Sequence, residues 1–249
     1  MHAKLKKKYS QNFLIDKNIL NKIYNLINFK NLNILEIGPG SGNLTDFILK
    51  SSPKKLTIIE IDEDLIKNLE IRFKNFNNIK IIHGNFLKYD EILKVKYDLI
   101  IANLPYNISS QILIKISTSK FRPERMILMF QKEFADRLLE KNLNSLNAII
   151  KCFYKLKKKF EISNSSFFPR PKIKSAIIEF ELNEDFLIND KNIESYIEFK
   201  RIIFNKKRKK IGSIIKNYLK FNISKELAEM RAENISLKQF VEIYKSINA

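Results

Sequence analysis

The sequence predicts an α/β fold in which a mostly parallel sheet is covered by helices on both faces and is followed by a small all-helical domain. Short apolar runs alternate with helix-like segments through the first half of the chain, and this order builds parallel sheets. Two further strand-like runs flank a proline-containing loop, and strand signals end near Asn189. We therefore predict two domains, residues 1–187 and residues 188–249.

The individual elements follow from the apolar pattern. Strands are predicted at 34–37, 56–61, 79–82, 98–102 and 125–130, and helices at 43–50, 63–73, from 109 onward and 132–140. The runs 153–162 and 173–182 are close enough in sequence to form an antiparallel hairpin at the sheet edge. From residue 189, apolar residues recur at helical spacing. Ser224 and Ser236 are expected to cap two further short helices.

The composition indicates a folded protein. Of the 249 residues, 45% are hydrophobic, which is enough to build a core. No apolar run approaches the roughly 18 residues of a membrane span, and no apolar stretch of a signal peptide follows the basic N-terminus. The single cysteine, Cys152, cannot form a disulfide within the chain and fits the reducing cytoplasm. Because Cys152 lies in an apolar run, we expect a buried, inert thiol.

The formal charge of +19 indicates a polyanionic partner, for which nucleic acid is the first candidate. A lysine-rich composition can raise the charge without any function, so clustering is the better evidence. Basic residues cluster at 4–8, 155–159 and 200–210, and the last cluster has seven basic and no acidic residues in eleven positions. A charge run is usually a solvated face, yet three such runs favour a polyanion-binding surface.

Glycine is rare, and three of the five glycines fall in Gly38-Pro39-Gly40-Ser41-Gly42. This loop joins a predicted strand to a helix, where backbone can approach a ligand closely. The spacing is not the G-x-G-x-x-G of nicotinamide and flavin folds, because Asn43 takes the place of the third glycine. Glu60 ends the next strand, where a carboxylate can accept ribose hydroxyls; the alternative is a solvated strand-end charge.

Asn85 follows the third strand and can hydrogen-bond the edge of an adenine, although an Asn after a Gly is more often a turn. Phe86 can lie against a ring. Together with the glycine loop and Glu60, these residues predict a pocket for an adenosine-containing cofactor without a pyrophosphate. S-adenosylmethionine fits that description.

The fourth strand runs directly into Asn103-Leu104-Pro105-Tyr106. Pro105 cannot donate to a sheet ladder and Asn is a poor strand former, so the strand must end here. The strand end would present a side-chain oxygen, a main-chain carbonyl and an aromatic ring beside the predicted cofactor pocket.

The order of these motifs resembles that of the small-subunit (16S) ribosomal RNA adenine N6-dimethyltransferases, a family of class I methyltransferases. NLPY alone also resembles tetrapeptides of enzymes that methylate DNA adenine or glutamine, but the ordered set is specific and covers nearly the whole chain. The matching segments are YSQNFLID (Tyr9–Asp16), LEIGPGSGNLT (Leu35–Thr45), IIEID (Ile58–Asp62), GNF (Gly84–Phe86), NLPY (Asn103–Tyr106), QKEFADRL (Gln131–Leu138) and FFPRPKIKS (Phe167–Ser175).

The resemblance implies roles for individual residues. The implied cofactor-binding residues are Asn12 and Leu14, which close over S-adenosylmethionine, Gly38 and Gly40 in the glycine loop, Glu60 at the ribose, Asn85 at the adenine and Asn103 near the reacting methyl. The implied catalytic residues are Asn103, Leu104, Pro105, Tyr106 and Phe167. The family usually has Asp at position 85, so Asn85 loses a charge-assisted hydrogen bond.

The catalytic roles follow from the chemistry of the target. The Asn103 side-chain oxygen and the Leu104 carbonyl would accept the N–H groups of the adenine amine, and Pro105 would fix the turn. Tyr106 would stack on the base and Phe167 would cover its other face. The alternatives are a core aromatic for Tyr106 and a loop anchor for Phe167.

The resemblance implies methylation of N6 of two adjacent adenosines in a hairpin near the 3′ end of 16S rRNA, in the small subunit or its precursor. We expect a cytoplasmic monomer. Two alternatives stay open, a 23S rRNA adenine N6-methyltransferase and a ribosome-assembly factor that only binds RNA. We expect no metal site, because the leaving group is neutral and the only histidines, His2 and His83, show no ligand spacing.

Overall fold

The computed structural model describes residues 12–206, 208–216 and 223–247. The 4–8 cluster, His2, residues 9–11 of the YSQNFLID motif, Lys207 and Leu219 lie outside these ranges. The chain groups into two compact units, one of residues up to 135 with 156–182 and one of residues 136–155 with 183 onward. The division between residues 187 and 188 stays a prediction. Among the described helices, none combines the length and apolar character needed to cross a membrane.

The first unit is built on a seven-stranded sheet. Its strands are β2 (Asn33–Ile37), β3 (Lys55–Glu60), β4 (Ile79–His83), β5 (Leu99–Asn103), β6 (Arg125–Gln131), β7 (Tyr154–Ile162) and β9 (Ser175–Leu182). They are arranged in the order β4-β3-β2-β5-β6-β9-β7. Neighbouring strands from β4 to β6 are parallel, and β9 is antiparallel to β6. The predicted parallel sheet is confirmed, and the two later strand candidates are neighbours at its edge.

Helices connect these strands because the connecting segments carry an apolar stripe at helical spacing. The helices are α1 (Lys17–Tyr24), α2 (Asn43–Lys50), α3 (Glu63–Phe73), α4 (Ser109–Ser117) and α5 (Lys132–Leu139). The predicted bounds of α2 and α3 are confirmed to the residue. Asp16 caps α1 and Asp62 caps α3 through their side-chain oxygens, as expected of Asp at this position.

The strand order reverses between β2 and β5. From β2 the chain proceeds outward through β3 and β4 on one side, and from β5 through β6 on the other. Ile37 pairs with Ile59 on one side and with Ala102 on the other. The segments that leave β2, β3 and β5 therefore begin at nearly the same level, and ligands bind at the carboxyl ends of parallel strands at such a reversal.

A two-stranded ribbon of β1 (Phe13–Leu14) and β8 (Phe167–Phe168) accompanies the main sheet. Phe13 pairs with Phe168 and Leu14 with Phe167, in antiparallel register. The Ser166 hydroxyl donates to Asp16 Oδ2 at 2.9 Å beside it. The ribbon could not be predicted from the sequence, because a strand of two residues is too short to show a periodic pattern.

Two lysines of the 155–159 cluster form ion pairs with acidic residues of the protein. Glu179 on β9 is 3% exposed and pairs with Arg125 and, at 3.0 Å, with Lys159. These two cations hold the pKa of Glu179 below its usual range despite its burial. Lys158 pairs with Glu161. Lys155 and Lys157 are exposed.

The second unit is helical after residue 189, as predicted, within the described residues. Its helices are α6 (Asn147–Ile150), α7 (Ile193–Asn205), α8 (Ile211–Ile215), α9 (Lys225–Glu229) and α10 (Leu237–Ile247). The predicted caps are confirmed, since Ser224 accepts from Leu227 N and Ser236 from Gln239 N. Tyr196 packs edge to face against Phe240 and Tyr244 in the core.

Several residues of the 200–210 cluster already have partners in this unit. Lys200 is 7% exposed, and its ammonium donates to the Ser145 carbonyl at 2.9 Å. Burial lowers the pKa of Lys200. Arg201 pairs with Glu198, and Lys210 with Glu229. The cluster therefore presents fewer free cations than its sequence suggests, although Arg208 and Lys209 remain exposed.

Cys152 is buried, as predicted, and lies in the second unit. Its thiol donates to the Ala148 carbonyl at 3.2 Å. Burial raises the pKa of Cys152 to about 11, so the reactive thiolate is scarce at neutral pH.

Candidate active site

A cavity lies where the carboxyl ends of β2, β3 and β5 meet the loop that follows β4. Its empty volume is about 1220 Å³, part of which is open to solvent. Every predicted site residue except Phe167 lines this cavity, namely Asn12, Leu14, Gly38, Gly40, Glu60, Asn85, Asn103, Leu104, Pro105 and Tyr106.

The glycine loop forms the floor of the cavity beyond β2. Gly38 has a φ of +67° and Gly40 a φ of +59°, both in the left-handed region that favours glycine. Among the residues that the structure describes, no atom beyond Gly38 and its chain neighbours lies within 4 Å of the position of a Cβ on Gly38, so a ligand can approach the backbone there. A Cβ on Gly40 would lie 2.7 Å from Phe13 Cδ1. Gly40 is therefore required by the packing of β1.

Glu60 ends β3 and is 6% exposed. Its Oε1 accepts from the main-chain N–H groups of Ile61 at 2.8 Å and Asp62 at 3.0 Å, and its Oε2 accepts from Gly40 N at 3.2 Å. Burial raises the pKa of Glu60, and the three N–H groups oppose that rise. A carboxylate has about four acceptor positions, so Oε2 retains one for a ligand hydroxyl.

Asn85 follows β4 at the third wall of the cavity. Its Oδ1 accepts from Leu87 N at 3.0 Å and caps a short 3₁₀ turn, residues 86–88. An amide oxygen can accept a second hydrogen bond, and Nδ2 adds a donor. Lys115 of α4 supports the same turn, because its ammonium donates to the Leu87 carbonyl at 2.9 Å and lies 5.6 Å from the centre of the Phe86 ring.

Asn103 is the last residue of β5 and lies level with the glycine loop. Its Nδ2 donates to the Asn12 carbonyl at 2.9 Å, which fixes the amide and leaves Oδ1 as its acceptor atom. Ile108 N and the Ser109 hydroxyl both donate to the Pro105 carbonyl and hold the turn. In the described part of the chain, no loop or side-chain donor reaches the Leu104 carbonyl, which can therefore accept from a ligand.

The Tyr106 ring is fixed at its hydroxyl end. Its oxygen lies 2.8 Å from Ser175 Oγ, and Ser175 is fully buried at the start of β9. Burial raises the pKa of Tyr106. The bond joins the NLPY motif to the end of FFPRPKIKS, two segments 69 residues apart.

Phe167 does not lie among the residues that line the cavity. It is 3% exposed and belongs to the apolar core, where it pairs with Leu14. Its ring would have to leave that core to reach a bound base, and its stacking role stays a prediction. The neighbouring Phe168 is 54% exposed.

The segment from Asn12 to Leu14 is held over the cavity by two amide side chains. Asn103 donates to the Asn12 carbonyl, and Asn43 Nδ2 donates to the Leu14 carbonyl at 3.0 Å. Asn43 occupies the place of the third glycine of a nicotinamide-binding motif, and its amide holds the 12–14 segment through this hydrogen bond. That role could not be predicted from the sequence, because the partner carbonyl is 29 residues away.

Glu36 is a cavity residue to which the sequence motifs assigned no role. It is 2% exposed, and Thr45 Oγ1 donates to its Oε2 at 2.7 Å. Burial raises the pKa of Glu36 to about 8, and the charge of Glu60 contributes to the rise. The sequence did contain an indication that Glu36 has a role, because its carboxyl group lies within the apolar run of β2. Carboxyl groups are rarely buried without a function or a partner.

Among the residues that the structure describes, no three His, Cys, Asp or Glu side chains come together in a way that could hold a metal ion. His83 ends β4 and is exposed, as expected of a strand-end histidine.

Comparison with known proteins identifies the family. The model of the family described as "Ribosomal RNA adenine dimethylase" matches residues 2–249. The chain belongs to this family. The predicted α/β fold and the resemblance to this family are thereby confirmed.

Relatives and a solved structure support the assignment over nearly the whole chain, and a second structure supports the fold. Two relatives carry the name "Ribosomal RNA small subunit methyltransferase A". The protein from Pelagibacter ubique is 40% identical, and the match covers 96% of this chain and 92% of the relative. The protein from Borreliella burgdorferi is 34% identical, and the match covers 98% of this chain and 89% of the relative. A dimethyladenosine transferase from Plasmodium falciparum has a TM-score of 0.82 at 28% identity, covering 95% of this chain and 97% of that one. The 23S rRNA methyltransferase ErmE shares the fold. Its TM-score is 0.73 at 20% identity, and the match covers 95% of this chain and 100% of that one.

We predict that Glu36→Gln makes the protein more stable at alkaline pH. The folded state holds a proton on Glu36 that the unfolded chain releases above its ordinary pKa of 4.5, so the free energy of unfolding falls as pH rises from about 5 through about 8. Glutamine mimics the neutral carboxyl and removes that dependence. The advantage of the variant should grow by roughly 3–5 kcal/mol between pH 5 and pH 9, measured by urea unfolding.

Exposed Glu70 on α3 provides the control. The Glu70→Gln curve should run parallel to that of the wild type across the same pH range. A Glu36→Gln advantage that stays constant with pH would show that Glu36 titrates normally in the folded protein.

Proposed function

We propose that this protein transfers methyl groups from S-adenosylmethionine to N6 of two adjacent adenosines in a hairpin near the 3′ end of 16S rRNA, giving N6,N6-dimethyladenosine during small-subunit assembly in the cytoplasm. The observation that carries the proposal is the register of β2 and β5, which brings Asn103-Leu104-Pro105-Tyr106 beside the glycine-loop cavity. Membership of the ribosomal RNA adenine dimethylase family supports it.

The cavity residues fit S-adenosylmethionine, which when bound supplies an electrophilic methyl group. The open space at the Gly38 Cβ position allows close approach of its methionine part. The remaining acceptor position of Glu60 Oε2 suits a ribose hydroxyl, and the Asn85 amide suits the edge of the adenine. Asn12 and Leu14, tied down by Asn103 and Asn43, would close over the cofactor.

The catalytic problem is that the lone pair of the adenine amine is delocalised into the ring and is a poor nucleophile. Asn103 Oδ1 and the Leu104 carbonyl would each accept one N–H of the amine and favour a tetrahedral nitrogen. The dipoles of these groups are already in place. Asn12 fixes the Asn103 amide, and two hydrogen bonds to the Pro105 carbonyl hold the turn to which the Leu104 carbonyl belongs. Groups placed in advance stabilise developing charge without reorganising, and alignment with the methyl donor supplies further rate.

The target adenine must leave its stack to enter the site. Tyr106 would receive it, because its ring is half-buried at the cavity and its hydroxyl is held by Ser175. The exposed cations of the basic clusters, which include Lys155, Lys157, Arg208 and Lys209, would contact the RNA backbone and make binding salt-sensitive.

Two other functions use parts of the same structure. A 23S rRNA methyltransferase would have the same site, and the likeness to ErmE concerns the fold alone. An assembly factor would need the basic surface but not Asn103. The names of the relatives favour a small-subunit substrate.

We predict a defined product. When the protein is incubated with S-adenosylmethionine carrying a labelled methyl group and with undermethylated small subunits, digestion of the 16S rRNA should yield labelled N6,N6-dimethyladenosine. Absence of that nucleoside would refute the proposal. Label in 23S rRNA from large subunits, with none in small subunits, would favour the alternative methyltransferase.

Substitutions at Asn103 should separate the two contacts of its amide. Asn103→Ala removes the acceptor and should lower kcat about 10²–10³-fold, the usual cost of one oxyanion-hole donor or its equivalent. Asn103→Asp keeps an acceptor oxygen but loses the donor to Asn12, so it should retain more activity than Asn103→Ala.

Asn43→Ala is the matched control, because it removes the other tie to the 12–14 segment without touching the catalytic turn. Its kcat should fall less than about tenfold, as expected from the loss of one ordinary hydrogen bond. If Asn103→Ala is no slower than Asn43→Ala, Asn103 only holds the segment. If Asn103→Ala still binds subunits but loses every cellular effect, the assembly-factor alternative is contradicted.

Ser175 is expected to position Tyr106. Ser175→Ala should raise the KM for small subunits about 3–10-fold, the equivalent of one net hydrogen bond, with the affinity for S-adenosylmethionine unchanged. Tyr106→Phe should have the same effect. Because both changes remove one bond, the double variant should be no worse than either single variant; additive losses would show that the bond does not position the ring.

A further inference from the structure

An exposed aromatic ring stands beside the cavity and has no role in the function proposed above. Phe168 is 54% exposed, compared with 42% for Phe76 and 40% for Phe121, the next most exposed phenylalanines of the described residues. Its neighbour Phe167 is buried, so the chain places one ring of the pair in the core and the other in water. A large apolar side chain in this position is a candidate contact for a partner.

The β1–β8 ribbon fixes where Phe168 lies. Phe168 is directly opposite Phe13 in antiparallel register, and opposed side chains of such a pair lie on the same face about 5 Å apart. Phe13 lines the cavity and packs on Gly40. Phe168 therefore stands one strand away from the wall of the cavity, next to the segment that would close over the cofactor.

The residues after Phe168 carry positive charge. Arg170, Lys172 and Lys174 are all exposed, and the segment from Phe167 to Ser175 has no acidic residue. Neither Lys172 nor Lys174 forms an ion pair with any other residue in the described ranges, and Arg170 donates to the uncharged amide of Asn164 at 2.9 Å. A ring together with three cations matches a nucleotide base and its phosphates, which favours a nucleic acid strand over a peptide.

The same segment leads directly to the target-base position. It starts at Phe168 beside Phe13 and ends at Ser175, whose hydroxyl holds the Tyr106 ring. One short segment, residues 168–175, thus carries the exposed Phe168 ring and the cations. Through Ser175 it also contacts Tyr106, the ring expected to receive the target adenine. A strand whose target base enters at Tyr106 would continue along this segment.

We propose that Phe168 stacks on the nucleotide next to the target adenosine while Arg170, Lys172 and Lys174 contact the neighbouring phosphates. The proposal rests on the function proposed above and adds a binding site outside the cavity. Stacking holds the flanking nucleotide in a splayed conformation, which helps to keep the target base out of its helix. One ring would thereby assist the handling of two adjacent adenosines in succession.

Photo-crosslinking tests the identity of the partner. The full-length protein with Phe168 replaced by the photoreactive p-benzoyl-phenylalanine is irradiated with undermethylated small subunits, and the same substitution at Phe121, which precedes β6 at the opposite end of the strands, is the control. The expected result is a crosslink from position 168 to 16S rRNA within a few nucleotides of the methylated adenosines, with none from position 121. A crosslink to a ribosomal protein, or to RNA elsewhere, would overturn the proposal.

Substitutions test whether the ring contributes to binding. Phe168→Ala should raise the KM for small subunits about 5–150-fold, the range expected for loss of one base stack, with kcat within about threefold and the affinity for S-adenosylmethionine unchanged. Phe168→Trp should restore the KM, because stacking tolerates any flat ring. Phe121→Ala removes another exposed ring and should leave the KM unchanged. A KM for Phe168→Ala equal to that of Phe121→Ala would overturn the proposal.

Salt dependence tests the cations. In Lys172→Gln/Lys174→Gln, the slope of log affinity against log salt should decrease by about 1.4, or about 0.7 for each phosphate contact to single-stranded RNA. Lys54→Gln/Lys55→Gln removes two exposed lysines at the start of β3 and should leave the slope unchanged. Equal slopes for both double variants would contradict the phosphate contacts.

The two proposals fail in different ways. If the wild-type protein forms no N6,N6-dimethyladenosine on small subunits, the proposed function fails. If the wild type is active but the crosslinking and KM results at position 168 match those at position 121, only the proposal for the Phe168 site fails.

Discussion

The pairing of β2 with β5 is the constraint on which the site depends. These strands lie side by side although the chain passes through β3 and β4 between them, and Ile37 and Ala102 share a level. The next residues, Gly38 and Asn103, open the glycine loop and the NLPY motif, so the two must start next to each other. Parallel ladders hold this level over several residue pairs. A slip of one residue would turn the strand faces over and separate the two motifs.

Amide side chains convert this proximity into a fixed geometry. Asn103 binds the Asn12 carbonyl and Asn43 binds the Leu14 carbonyl, so the segment over the cavity is fastened to both motifs that it covers. The bond to Asn12 also orients the Asn103 amide, so it links the segment over the cavity to the position of Asn103 Oδ1, the oxygen that we propose is catalytic. In the proposed function, closure over the cofactor and alignment of that oxygen would depend on the same hydrogen bond.

Two carboxyl groups of one cavity are both buried, which raises the pKa of each, and they have different hydrogen-bond donors. Glu60 receives three main-chain N–H groups, which favour its charged form against the effect of burial. Glu36 receives one hydroxyl, from Thr45, and its pKa rises to about 8. With a pKa of about 8, Glu36 is mostly neutral at neutral pH, so it does not add a full charge beside Glu60.

The sequence by itself determined the order of the strands and helices, the parallel sheet and the residues that end its strands. These features depend on the local apolar pattern, on the few glycines and on Pro105, so each can be predicted from a stretch of a few residues. The tertiary structure decided which of those residues meet: Tyr106 with Ser175, Asn103 with Asn12, and Phe13 with Phe168. It also decided that Phe167 is buried while Phe168 is exposed, because two adjacent rings on a two-residue strand face opposite sides and only the ribbon's packing selects the buried one.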